Sequence, residues 1–160
     1  DWPKFINELT EDSNRNHLII ERVRAAVSEG RQVLVLSDRV AHCKMIADQM
    51  NGFGIPAAAL VGSLSKKKRA ELLKDADDRK LLVITATTIA DEGLDLPKLD
   101  TVVLTTPTKA MGRVQQRIGR VMRRFPGKRK PLVIDCIDDV GALKGLARKR
   151  FKLYNAMGCT

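Results

Sequence analysis

A doubly wound α/β domain built on a parallel sheet is the fold class this sequence predicts, and three features predict it. Five short β-rich runs recur along the chain, most of them are apolar on consecutive residues, and segments of helical spacing lie between them. Continuous rather than alternating apolarity is what a strand covered on both faces requires, which points to parallel pairing. Strands alternating with helices read as right-handed βαβ units whose functional loops lie at the carboxyl ends of the strands. A chain of 160 residues with 44% hydrophobic content supports one sizeable core and a single domain. With one Trp, one Tyr and four Phe, that core must rest on Val, Leu, Ile, Met and Ala.

Residues 1 to 15 are polar and without clear periodicity, and are expected to be a lead-in from a preceding domain, with the domain proper running from 16 to 160. Asp1 stands where an initiator Met would, so a piece of a longer chain or a processed product is expected. Helical spacing over about Asn16 to Glu29 places Leu18, Ile19, Val23, Ala26 and Val27 on one side, and Gly30 supplies a stop. The first strand is Val33 to Ser37. A second helix, Val40 to Met50, carries the stripe Cys43, Ile46, Ala47 and Met50 and ends at Asn51-Gly52. The second strand is Ala57 to Val61. Ser65 reads as the N-cap of a third helix, Lys66 to Lys74, with Leu72 and Leu73 turned inward. Strands over Leu81 to Thr85 and Thr101 to Thr105 follow, then a helix around Ala110 to Arg124, a strand over Leu132 to Ile137 and a helix over Gly141 to Ala156. Phe125 to Lys130, Phe-Pro-Gly-Lys-Arg-Lys, reads as an exposed basic loop.

Charge gives the first functional indication. The 29 Lys and Arg against 19 Asp and Glu leave a net +10, which favours polyanions such as nucleic acid, nucleotides or an anionic membrane. Nine of these basic residues fall between Lys109 and Lys130 with no acidic residue among them. Cys43, Cys136 and Cys159 show no C-x-x-C spacing, and an odd count argues against a secreted disulfide framework, so a reducing, intracellular compartment is expected. No run of about 18 apolar residues and no signal-type segment is present, which indicates neither a membrane span nor secretion. His17 and His42 have no ligand partners at usable spacing, so core or surface roles are expected and no metal site.

The sharpest chemical signal is Gln116-Arg117-Ile118-Gly119-Arg120-Val121-Met122-Arg123. On a helix, positions 116, 120 and 123 share a face, so Gln116, Arg120 and Arg123 point one way together. Guanidinium groups so placed can grip phosphate oxygens bidentately and offset the charge that develops on a γ-phosphoryl group. The plain alternative is a solvated basic face.

This segment is similar to motif VI of superfamily-2 helicases, a His or Gln followed by x-x-G-R-x-x-R. The resemblance implies that Arg120 and Arg123 reach an ATP held by another domain, with Gln116 near the nucleotide. Thr87 to Pro97 resembles motif V of the same family, a Thr, five residues, then Gly, Ile or Leu, and Asp. By that resemblance Thr87 touches the nucleic-acid backbone while Gly93 and Asp95 lie near the nucleotide. Without it, Gly-Leu-Asp-Leu-Pro is a turn into the next strand. Val33 to Arg39 resembles motif IV, and Val61-Gly62-Ser63 with the basic helix start at Lys66 to Arg69 resembles the family's strand, glycine loop and helix. Ser37, Arg39 and Gly62 would then join Thr87, Arg113 and Arg117 on the nucleic acid, with backbone amides at Gly62 suited to a strand phosphate.

The motifs cover about residues 31 to 137 in family order, and imply a RecA-like three-layer α/β/α domain with a mainly parallel sheet of at least five strands. They also imply ATP and Mg2+ as the nucleotide and metal, and an N-terminal RecA-like domain on the same parent chain as partner. The finer likeness, in Asp135 to Asp139 and the basic helix ending Arg148 to Lys152, is to the DNA repair and phage branches. Position 116 is Gln rather than the His of DEAD-box RNA helicases, and Asp91-Glu92 stands where that branch often has Ala-Arg, so DNA is favoured over RNA.

A motor also needs a phosphate cradle, G-x-x-x-x-G-K followed by Ser or Thr, and a D-E-x-D or D-E-x-H segment for Mg2+. The sequence contains neither, so this chain by itself is expected to hydrolyse little or no ATP. Gly52-Phe-Gly54-Ile-Pro-Ala57 superficially fits a dinucleotide fingerprint, but it precedes a strand when it should follow one. The competing class is a stand-alone nucleic-acid-binding module in which Arg113, Arg117, Arg120 and Arg124 form one phosphate-tracking stripe. The two differ at Arg123, which a stripe barely needs.

Overall fold

The computed structural model describes residues 1–87, 96–108, 111–121, 123, 125–138 and 141–158; within the helices, the side chains at 111, 114, 117, 120, 121 and 142 lie outside the description. Its elements are α1 (Trp2–Glu11), α2 (Ser13–Ser28), β1 (Val33–Leu36), α3 (Val40–Gly52), β2 (Ala57–Leu60), α4 (Lys66–Asp77), β3 (Val83–Ala86), β4 (Thr101–Leu104), α5 (Met111–Val121), β5 (Leu132–Asp135) and α6 (Gly141–Ala156). Five strands form one sheet in the order β2-β3-β1-β4-β5, and every neighbouring pair is parallel. The three central strands are buried along their whole length, while the edge strands β2 and β5 are partly exposed, which is why the apolar runs read as continuous.

Alternate residues of each strand serve two separate cores. Val33, Val35, Val83 and Val103 face α2 and α3 through Ile19, Val23, Ile46 and Met50. Leu34, Leu36, Ile84, Val102 and Leu104 face the other way, against Ala76 of α4, Ile118 of α5 and Tyr154 of α6. Helices on both faces of a parallel sheet make the three-layer α/β/α domain. Among the described residues no helix is long and apolar enough to cross a membrane.

Caps fall where the sequence places them. Ser65 accepts from the Lys68 amide at 3.1 Å and opens α4. Gly30, at φ +85°, ends α2 in a left-handed conformation that other residues avoid. Several elements differ from the sequence reading: α2 starts at Ser13, α4 runs on to Asp77, α5 ends at Val121, and two differences bear on the packing. Residues 2 to 11 form α1, with Pro3 in its first turn and Ile6 and Thr10 buried. In α2, Leu18 points to solvent at 67% exposure and Ile20 takes the inward place. At about 100° per residue, the stripe centred on Val23 leaves Leu18 about 140° away, on the far side of the helix.

Candidate functional site

Because all five strands are parallel and in register, their carboxyl ends form one edge, with Leu60, Ala86, Leu36, Leu104 and Asp135 in a row. At about 4.8 Å per strand, the segments that follow β2, β3 and β1 bring Gly62, Thr87 and Ser37 along one line. β1 and β4 are neighbours whose following helices lie on opposite faces, α3 on one and α5 on the other. Their loops diverge, and such a switch point is where a doubly wound sheet opens a crevice.

Ser37 anchors its loop by inward bonds. Its amide donates to the Ala86 carbonyl at 3.1 Å, and its hydroxyl oxygen accepts from the Arg39 amide at 3.2 Å. The buried His42 ring lies against it, Nδ1 at 2.8 Å from the Ser37 hydroxyl and Nε2 at 2.7 Å from Asn16 Oδ1. An amide oxygen only accepts, so Nε2 carries the ring proton and Nδ1 accepts from Ser37. Asn16 in turn donates to the Thr10 carbonyl at 2.8 Å, tying α1 and α2 to the end of β1. Burial first, and the nearby Arg15 guanidinium second, hold the His42 ring down at about 4. Burial likewise pushes the Cys43 thiol up to about 12, so Cys43 is a small core residue and not a nucleophile.

Arg39 is half-buried, and its guanidinium donates to Asn7 Oδ1, the Pro3 carbonyl and the Asp38 carbonyl, so α1 fixes its direction. Gly62 is exposed in the turn between β2 and α4. Thr87 is buried, and its hydroxyl has no hydrogen-bond partner among the described residues. Arg15, which the sequence gives no reason to single out, spans the edge: it donates to the Thr105 carbonyl and grips both oxygens of Asp138 at 2.7 and 2.9 Å. Behind β5, Asp135 holds Arg150 through two bonds, 2.6 and 3.0 Å, and accepts from the Tyr154 hydroxyl, which pins α6 to the sheet.

α5 is anchored by Ile118, fully buried, and presents Arg113 and Gln116 to solvent. Arg117 and Arg120 are on the same helix, with side chains outside the description. Gln116 and Arg120 are one turn apart on one face. Arg123, however, lies beyond the end of the helix, exposed, with its carbonyl accepting from Lys128 Nζ at 2.6 Å. Arg123 therefore does not share a helix face with Gln116, and the chain turns at Pro126-Gly127 a few residues on. Gly93 and Asp95 lie outside the described residues. The structure thus brings Ser37, Gly62 and Thr87 to one edge, with Arg39 pinned beside them. His42, expected in a core or surface role and found buried, and Asn16, which the sequence gives no reason to single out, are the ones that fix Ser37; His42 falls in the first turn of α3, where its ring reaches back to the strand end.

A model of the helicase conserved C-terminal domain matches residues 14–125. A protein assigned as a helicase in Sulfolobus islandicus filamentous virus is 34% identical over 136 residues, which make up 85% of this chain and 24% of that protein. DEAD-box ATP-dependent RNA helicase 24 of Oryza sativa subsp. japonica is 31% identical over 123 residues, 77% of this chain and 16% of its own length. Among solved structures, T4 UvsW shares the fold at a TM-score of 0.79 and 22% identity, over 98% of this chain and 35% of that one. The chain spans no more than 35% of the length of any of these relatives.

Proposed function

The chain belongs to the helicase conserved C-terminal domain family, and on that premise we propose that it is the second motor domain of an ATP-dependent helicase or translocase, acting on DNA in preference to RNA. The observation that carries this reading is the common edge: the residues following β1, β2 and β3 stand in one line, beside a basic helix that starts from the next strand over. A polymer backbone laid along that edge meets Gly62, Thr87 and Ser37 in succession. The unpartnered Thr87 hydroxyl favours a ligand there, since a buried hydroxyl left unpaired costs about 1–3 kcal/mol.

In this mechanism an N-terminal RecA-like domain of the same parent protein holds Mg-ATP, and this domain closes over it. Arg120 completes the site by meeting the γ-phosphoryl oxygens; Arg123, which lies past the end of α5 beside Lys128, has to swing in as the domain closes to join it, while Gln116, Gly93 and Asp95 face the nucleotide. Ser37, Arg39, Gly62, Thr87, Arg113 and Arg117 hold the strand. Among the described residues no group of three His, Cys, Asp or Glu could hold a metal, and the Mg2+ is assigned to the ATP on the other domain. Closure and opening then shift the strand by rigid-body steps. Gln116 and Asp91-Glu92, which differ from the DEAD-box pattern, support DNA over RNA.

Nucleic-acid-stimulated ATPase activity of the intact parent protein tests this, with Arg120→Ala and Arg123→Ala compared with wild type and nucleic-acid binding followed in parallel. Loss of a charge-stabilising arginine lowers hydrolysis by about a hundredfold or more while binding persists. Unchanged hydrolysis with weakened binding would make these arginines a phosphate stripe and overturn the motor mechanism.

A further inference from the structure

The other edge of the sheet carries a second basic cleft that the motor reading leaves unused. Gly30 precedes β1, Arg79 precedes β3, Lys98 and Asp100 precede β4, and Phe125 to Arg129 precede β5, so the cleft runs across the amino ends of four adjacent strands. Its volume is about 250 Å³, well above the about 30 Å³ of one water and near the lower end of small-ligand sites. A neighbouring cavity of about 500 Å³ shares Phe125, Lys128 and Arg129 with it and extends past Lys130.

Three of the four cations here donate to backbone carbonyls. Arg79, in a left-handed conformation at φ 58°, donates to the Gly30 carbonyl at 3.1 Å. Lys98 donates to the Asp77 carbonyl at 2.8 Å, with the Asp77 carboxylate no nearer than 4.0 Å. Lys128 donates to the Arg123 carbonyl, and Arg129 lies against Gly30, where a Cβ would sit 3.1 Å from its guanidinium. Carbonyl dipoles orient Arg79, Lys98 and Lys128 without cancelling their charge, and the partly exposed Asp77 carboxylate, 4.0 Å from Lys98, offsets that one only in part. The one carboxylate in the lining, Asp100, is buried and turned inward, accepting from the Gln32 amide and the Thr101 hydroxyl. Partial burial, with Arg123 close by, holds the Lys128 ammonium below its usual range, and only Asp100 opposes this. The rim is built too: Phe125-Pro126-Gly127-Lys128 closes a turn with its 3.0 Å bond and Gly127 at φ +77°, which holds out the exposed Phe125 ring.

We propose that this cleft is a second phosphate-binding site that takes a phosphodiester of the nucleic-acid backbone outside the motor track, with Lys98, Lys128, Arg79 and Arg129 as the cationic contacts and Phe125 as a stacking platform. Four cations, three of them oriented by carbonyls, against one engaged carboxylate in the lining favour an anion, and an exposed aromatic ring among them suits a single strand whose bases can stack. The proposal rests on the reading that the protein binds nucleic acid. It also adds an anchor on the side away from the closing cleft, one whose grip does not depend on the nucleotide state.

The test measures binding of a short labelled single-stranded DNA oligonucleotide to the intact protein across a salt series, for wild type and the double variant Lys98→Ala/Arg129→Ala, with ATP binding measured alongside. Each lost phosphate contact on a single strand makes the slope of log K against log salt shallower by about 0.7, so the double variant is expected to lose about 1.4 from the slope. The charge-keeping pair Lys98→Arg/Arg129→Lys should restore it. Replacing Phe125 by a benzophenone amino acid in an otherwise unchanged protein should give a photo-adduct with the oligonucleotide, a readout that does not depend on how the double variant folds. An unchanged slope, or no adduct, overturns this site and leaves the motor reading standing. If ATP affinity falls and the DNA slope does not, the cleft serves free nucleotide phosphate and the proposal is equally overturned. Wild type that binds no DNA at any salt concentration would remove both readings.

Discussion

Acidification should loosen the carboxyl edge of the sheet through one residue, His42. The folded protein needs this ring neutral, because Nδ1 accepts the Ser37 proton and only Nε2 carries a hydrogen to Asn16. Burial and Arg15 lower its pKa from 6.5 to about 4. Between those values the unfolded chain binds a proton that the folded chain refuses, so stability rises with pH through this window. The contribution is whole above about 6.5 and is lost as pH falls towards 4. At about 1.4 kcal/mol per pH unit the full interval corresponds to about 3 kcal/mol, and a drop to pH 5 costs about 2 kcal/mol. Urea unfolding at pH 7 and pH 5 measures this, and with an m-value of about 2 kcal/mol/M the midpoint should fall by about 1 M. His42→Gln starts less stable but lacks this titration, so its midpoint should move much less between the two pH values. Equal losses in both proteins, or a His42 ring seen by NMR to titrate near its ordinary value, would refute the reasoning and with it the role of His42 in fixing Ser37.

Three further outcomes follow from the packing. Thr87→Val removes a buried hydroxyl that has no partner among the described residues, so stability should hold or rise by up to about 1 kcal/mol while nucleic-acid affinity falls; a clear loss of stability by thermal unfolding would mean that the hydroxyl is already satisfied. Asp135→Asn leaves the Arg150 guanidinium buried against a neutral group and should cost about 3–5 kcal/mol, with α6 the first helix to lose amide protection in hydrogen exchange; a cost under about 1 kcal/mol would show the pair to be screened by water. Ile118→Ala empties the anchor of α5 and should cost about 2–5 kcal/mol in denaturant unfolding, and a negligible cost would mean that α5 is held from elsewhere.

The strands were legible because the three central ones are covered on both faces, so their apolar runs are unbroken. Each of the five strands falls within one or two residues of its predicted place. α1 was legible in principle, since Trp2, Phe5, Ile6 and Leu9 fall at i, i+3, i+4 and i+7 behind a Pro in the first turn, but the polar residues between them mask that short stripe. Leu18 misled for a different reason: apolarity alone does not say which of Leu18 and Ile20 faces in, and the helix phase set by Val23 and Ala26 decides it. His42 looked solitary because its partners, Ser37 and Asn16, come from separate elements, and Asn16 is 26 residues distant in sequence.

Charge shows most clearly what linear reading omits. The basic stretch from Lys109 to Lys130 reads as one surface, yet a helix occupies its first half and a turn its second. α5 leaves the carboxyl end of β4 and must return the chain to the amino end of β5, and its 11 residues cover about 16 Å on the way. Arg113 therefore starts beside the carboxyl edge, while Phe125, Lys128 and Arg129 finish at the opposite edge among Arg79 and Lys98. A parallel sheet forces this division, because each crossover helix carries the chain from one edge back to the other. The salt dependence of binding by this protein should accordingly be the sum of two separable parts, one altered by substitutions at the carboxyl edge and by nucleotide, the other altered only by substitutions at the amino edge.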